Sequence, residues 1–282
     1  MNMDAVLPLD LVFDLAGNAP ATTQRGSRTS VLRATSFLVA WTEIDSADAD
    51  ALAMDSDEEY IVLLPDCGAA IAHAGATTEA PLRSICIVPA GRSVIQARSA
   101  GRIMRLFAPV PAQWKDTPVP KTLRHSLAVQ PIAPAFKPRE SLSRVRIHEL
   151  DRLPNSRGMP RAKQIQSATI SVGWVEYDGP RVRNQLSPHS HVDFEQGSLA
   201  IQGEFVQHLR APWGSDADQW RDDRHIRCGA GSLTLIPPPV IHTTEGIGEV
   251  RHILIDIFAP PRRDFITKGQ ILNAADYIDP LA

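Results

Sequence analysis

The chain has 282 residues, with 29 Lys and Arg against 32 Asp and Glu and 43% hydrophobic residues; this supports a sizeable core and excludes a wholly disordered chain. A net charge of −3 without a long basic block excludes the footprint of a nucleic-acid or anionic-membrane binder. No apolar run approaches the ~20 residues of a membrane-spanning helix, and an N-terminus with Asp4, Asp10 and Asp14 but no early Lys or Arg makes a poor secretory signal, so a soluble, cytoplasmic protein is expected.

In chain order, the first half is a series of short β-type runs: 29–44 (TSVLRATSFLVAWTEI), 59–64 (EYIVLL), 83–91 (RSICIVPAG) and 101–109 (GRIMRLFAP). Helical periodicity is weak, with short pieces expected only near 45–54 and in the C-terminal tail. Cys67, Cys86 and Cys228 lie far apart, which excludes a disulfide framework or zinc ribbon, and Cys86 reads as a small core residue. Seven prolines between 109 and 138 cannot belong to a central strand. They mark an extended connector whose Trp114, Leu123, Leu127 and Phe136 are expected to hold it against the protein surface. The second half resumes the β pattern at 162–177, 198–209, 231–239 and 249–260.

The halves resemble each other. Residues 85–94 (ICIVPAGRSV) can be laid on 233–242 (LTLIPPPVIH), and 106–109 (LFAP) on 257–260 (IFAP). The acidic Glu58 and Glu59 before YIVLL answer Glu195 before QGSLAIQGEF. One β domain, duplicated, explains this most economically. The second half carries an extra stretch at 211–224, read as a loop whose Trp213 and Trp220 could cover a barrel mouth.

One stretch carries chemistry: Pro188-His189-Ser190-His191-Val192-Asp193-Phe194-Glu195. In a strand, His189, His191 and Glu195 share one face and could converge on a metal, with His242 from a neighbouring strand as a fourth ligand. Imidazole and carboxylate together suit Fe, Mn, Ni, Co, Zn or Cu. Just upstream, Arg181, Arg183, Asn184 and Gln185 offer groups for an anionic substrate. His208, His225 and His252 are further candidates for positions around the site.

HSHVDFEQGSLAIQG resembles the first motif of the cupin family, H-x-H, three or four residues, E, six residues, G; GSLTLIPPPVIH resembles the second, G-x5-P-x-G-x2-H. Seven residues separate Glu195 from Gly203, a difference a β-bulge could absorb, and Pro239 stands where glycine is usual. The resemblance implies an all-β bicupin of two jelly-roll-type barrels with short helices. A degenerate barrel is expected over 1–110, a linker over 111–140, a metal-binding barrel over 141–262 and a tail over 263–282. It implies a metal at His189, His191, Glu195 and His242, none in the first barrel, where Ala53, Asp55 and Val94 stand at ligand positions, and a homodimer.

Such a site with iron would suit a dioxygenase acting on a small, anionic organic molecule bound by Arg181, Arg183 and Gln185, with Glu195 moving protons. With Mn, Ni, Zn or Co it would suit an isomerase or lyase. A non-catalytic binding protein is the third expectation.

Overall fold

The computed structural model describes residues 9–123, 135–139, 143–192 and 194–279. Its first half holds β1 (Val12–Asp14), β2 (Thr22–Gln24), β3 (Ser27–Arg33), β4 (Leu38–Ile44), β5 (Leu52–Ser56), β6 (Tyr60–Leu64), β7 (Ala69–His73), β8 (Ala76–Ala80), β9 (Ser84–Val88), β10 (Gly91–Ala97) and β11 (Gly101–Phe107). The second holds β12 (Lys137–Pro138), β13 (Arg146–Glu149), β14 (Ala162–Gln166), β15 (Ser171–Asp178), β16 (Glu195–Gln202), β17 (Glu204–Arg210), β18 (Arg224–Cys228), β19 (Ser232–Ile236), β20 (Ile241–Ile247), β21 (Arg251–Ala259), the helix α1 (Arg263–Thr267) and β22 (Tyr277–Ile278). The fold is all-β, in antiparallel sheets.

The expected duplication holds ladder by ladder. In one barrel β9–β6–β11–β4–β3 forms the large sheet and β5–β10–β7–β8 the small one; in the other, β19–β16–β21–β15–β14 answers the first and β20–β17–β18 the second. The counterpart of the β5–β10 ladder is a single bridge between His189 and His242.

Each large sheet borrows a strand across the expected boundaries. β1 pairs with β19, and β13 pairs with β9, so the first residues of the chain complete the second barrel and residues 146–149 complete the first. The runs YIVLL and SICIV are buried along their whole length, as a sheet covered on both faces requires. Ile61, Leu63, Ile85 and Ile87 face a core shared with Val172, Trp174, Leu199, Leu235 and Ile255 of the other barrel. Their neighbours Tyr60, Val62, Cys86 and Val88 fill the interior of the first barrel. Cys86 is thus a core residue, as expected.

The 45–54 segment is not helical. Turns lead into β5, where buried Leu52, Met54 and Ser56 alternate with exposed Ala53 and Asp55, the two-residue period of a half-buried strand. The tail does contain α1, and β22 pairs with β12 of the connector. Trp114, Leu123 and Phe136 are buried, while Leu127 lies outside the described residues.

Candidate metal centre

The interior of the second barrel differs from that of the first. Its apolar cluster is small, built on Ala200, Phe205 and Leu254, while Gln196, Ser198, Gln207, Thr234 and His242 are buried polar residues. A polar interior needs partners, and here it surrounds a group of imidazoles.

His189, His191 and His242 bring one ring nitrogen each within 4.8 Å of one another. The bridge positions two of them: His189 N donates to His242 O at 3.1 Å, and His242 N to His189 O at 2.8 Å. His189 Nδ1 donates to Ser187 O at 2.8 Å and His242 Nδ1 to Val240 O at 3.0 Å, which leaves Nε2 of each ring as the free ligand atom. Burial, with Arg262 as the next cause, holds the His191 imidazole down to about 3. His242, only 3% exposed, is held down to about 4, chiefly by burial. Both rings are neutral at neutral pH, the state in which imidazole binds a metal.

Glu195, the expected carboxylate ligand, does not reach the imidazoles. Glu195 is fully buried on the opposite face of β16, where its Oε2 accepts from Thr35 N at 2.8 Å and Ser36 N at 3.3 Å in the turn between β3 and β4. Same-face parity from His191 to Glu195 requires a continuous strand, but β16 begins only at Glu195. Gln196 is the residue that faces the imidazoles. Its Oε1 lies 2.9 Å from His191 Nε2 and 3.1 Å from His242 Nε2. Counted from Gln196, six residues separate it from Gly203, and that interval was the signal available in the sequence. Gly203 itself closes the β16–β17 turn at φ +95°, and a Cβ there would stand 2.7 Å from the His252 ring.

Glu195 and Glu59 form a reciprocal pair. Glu59 Oε2 accepts from Ala168 N at 3.0 Å, in the turn between β14 and β15, and from Tyr277 Oη at 2.8 Å; Arg146 Nη2 donates to Oε1 at 2.8 Å. Each barrel therefore sends one buried carboxylate to the matching turn of the other. Burial pushes the Glu195 carboxyl up to about 7, against the opposing effect of the Thr35 and Ser36 amides.

Sequence reasoning missed Asp256 and Arg262. Asp256 Oδ1 accepts from Gln196 Nε2 at 3.0 Å and from Ser198 Oγ at 3.1 Å, which turns the amide oxygen of Gln196 toward the rings. Burial raises the Asp256 carboxyl above its ordinary range. Arg262 is clamped by Asp264 through two 2.7 Å bonds and stacks 3.8 Å from the Phe265 ring centroid. Both line a cavity of about 350 Å³ that also exposes His189, Gln196, His242 and Arg181.

Of the expected substrate residues, only Arg181 lines this cavity. Arg183 is exposed and pairs with Glu245 at 3.3 Å beside a separate depression. Gln185 is exposed and offers its backbone O to Arg181 Nη2 at 3.4 Å. His208 and His225 bond to each other at 2.7 Å in that outer depression, and His252 is bonded to Glu204 O and Ile247 O. Trp213 and Trp220 stack on one another, exposed, and neither lines the cavity.

No family model matches the sequence, and no curated protein matches it in sequence. Solved structures do match in fold. AerE of Microcystis aeruginosa superposes with a TM-score of 0.56 at 10% identity, covering 86% of this chain and 97% of that one. Oxalate decarboxylase of Bacillus subtilis, a protein with Mn(II) centres, superposes with a TM-score of 0.58 at 12% identity, covering 90% of this chain and 78% of that one. With its two matching sets of ladders, the chain has the bicupin fold, with the imidazole cluster in the second cupin barrel.

Proposed function

We propose that the protein binds one divalent transition metal, iron in first place, through His189, His191, His242 and Gln196, and acts as an oxidoreductase of the dioxygenase type on a small organic anion. The observation that supports a metal most directly is the contact between His242 Nε2 and Gln196 Oε1. His242 Nδ1 must carry the proton it donates to Val240 O, so the neutral ring turns a lone pair on Nε2 toward the lone pairs of Gln196 Oε1, 3.1 Å away. Two acceptors face each other there, and a cation between them relieves the conflict.

Bound there, Fe(II) would supply Lewis acidity and one-electron chemistry toward dioxygen. Three imidazoles and an amide add no negative charge, and Arg181 and Arg262 also line the cavity, so the site favours an anionic substrate. Arg262 is pre-positioned by Asp264 and by Phe265, so little side-chain freedom is lost when it binds a carboxylate. Phe258 and Phe265 supply apolar wall for the organic part of such a substrate. Asp256, with its raised pKa, can hold a proton in the cavity and deliver it to bound substrate.

That same carboxyl favours one second reading, a non-redox lyase or isomerase with the metal as Lewis acid. The test is anaerobic reconstitution of metal-free protein with Fe(II), Mn(II) or Zn(II), followed by a panel of small enolisable carboxylates with oxygen monitored by electrode. Oxygen uptake that requires both iron and substrate is expected. Turnover with manganese or zinc and no oxygen uptake would transfer the assignment to a lyase or isomerase; saturable binding without turnover would leave a binding protein.

A further inference from the structure

The register that relates the barrels gives each residue of the metal centre a counterpart in the first barrel. Gln196 pairs with Ile236 as Tyr60 pairs with Val88. The His189–His242 bridge falls on the Ala53–Val94 pair, and Ser198–Asp256 falls on Val62–Arg105. Phe258 meets Phe265 edge to face at 6.1 Å; at the matching positions Phe107 meets Trp114 edge to face at 5.5 Å. Where the second barrel assembles imidazoles to receive a cation, the first places a guanidinium.

Arg105 is 2% exposed and makes no ion pair among the described residues. Its Nη2 donates to Thr42 Oγ1 at 3.4 Å, its Cζ lies 5.1 Å from the Trp114 ring centroid, and its buried Nε has no partner. Arg146, comparably buried, is paired with Glu59 at 2.8 Å. Burial holds the Arg105 guanidinium down to about 10. A buried charge with one long hydrogen bond is strongly unfavourable unless an opposite charge joins it. The hydroxyls nearby are bonded among themselves and to backbone, not to Arg105: Tyr60 Oη and Ser93 Oγ bond to each other at 2.8 Å, and Ser93 Oγ donates to Met54 O at 3.5 Å.

We propose that the first barrel binds a small monocarboxylate, with the carboxylate on Arg105 and the short apolar part among Met54, Val62, Ile95 and Ile103, closed in by Trp114 of the connector. A guanidinium fork matches the planar carboxylate in two parallel hydrogen bonds. The aliphatic surroundings favour a weakly hydrated organic anion over sulfate or phosphate, whose hydration the site cannot replace. The proposal does not rest on the metal reading, since none of these residues belongs to the second barrel.

The test is calorimetric titration of the metal-free chain with propionate, and with chloride, nitrate and sulfate beside it, in wild type, Arg105→Met and His242→Ala. Saturable binding of one propionate per chain is expected in wild type and His242→Ala, with a thermal midpoint that rises with ligand. Affinity in Arg105→Met should fall roughly tenfold or more, as the loss of a charge-assisted pair implies. A crystal grown with 3-bromopropionate should show the bromine anomalous peak inside the first barrel, which keeps the assignment testable if Arg105→Met does not fold. The proposal is overturned by any of three results: no saturable propionate binding in wild type, binding only of inorganic anions, or a bromine peak elsewhere.

Discussion

At Gln196 the second barrel turns a neutral amide toward three imidazoles, and Asp256 holds that amide by its nitrogen. Removing the amide oxygen should weaken the metal directly, while removing Asp256 frees the amide to rotate. Gln196→Ala and Asp256→Ala are each expected to lower metal affinity by about 10–100-fold, the range for groups that orient metal ligands, measured by competition with a chromogenic chelator. Glu195→Ala should behave differently. It leaves the Thr35 and Ser36 amides unpaired between the barrels, at a cost of about 1–3 kcal/mol each, yet metal content per folded chain should stay near that of wild type. If Glu195→Ala loses the metal and Gln196→Ala keeps it, the ligand assignment made here is wrong.

His242 also links the site to pH. Its folded pKa of about 4 lies below the ordinary imidazole value of 6.5, so the unfolded chain binds a proton that the metal-free folded chain refuses. The sign follows: this contribution is present above about pH 6.5 and is lost as pH falls toward 4, on the order of 3 kcal/mol in all. Urea unfolding of metal-free protein at a series of pH values should show that slope, and His242→Gln should lessen it by one imidazole's share, leaving the part supplied by His191, which is held down to about 3.

At the scale of elements, the borrowed strands matter most. β1 covers the exposed edge of β19, and the segment around it buries Leu9, Leu11 and Leu15 in the shared core. Leu11→Ala should cost about 2–5 kcal/mol, the usual range for a buried leucine. Its effect should be seen in the second barrel, although residue 11 lies at the start of the chain. Deleting residues 1–16 should expose the β19 edge and produce aggregation, visible by light scattering.

For the whole molecule, the decisive feature is that the main core lies between the barrels and not within either one. Ile61, Leu63, Val172 and Leu199 meet across that boundary, and Glu59 and Glu195 reach across it in opposite directions. Cooperative unfolding should therefore occur in one transition, with intrinsic fluorescence and far-ultraviolet circular dichroism coincident. Residues 1–123 expressed alone should not form a soluble monomer, because they would present that apolar face to water. Two separated transitions would contradict this picture.

Local pattern was enough to determine the all-β class, the duplication and the imidazole set. Each rests on composition or short-range spacing, such as the strand-sized apolar runs and H-x-H, which are readable without knowing what lies opposite. Which of Glu195 and Gln196 faces the imidazoles depended on where β16 begins, and a shift of one residue reverses the face of every side chain that follows. Asp256 and Arg262 reach the cavity from β21 and the turn after it, some 60 residues downstream of Gln196, and no local motif connects them to it. The borrowed strands and the crossed carboxylates likewise exist only once the two barrels are packed back to back. Spacing along a chain reports neighbours on one strand; it carries no record of what a second sheet brings against them.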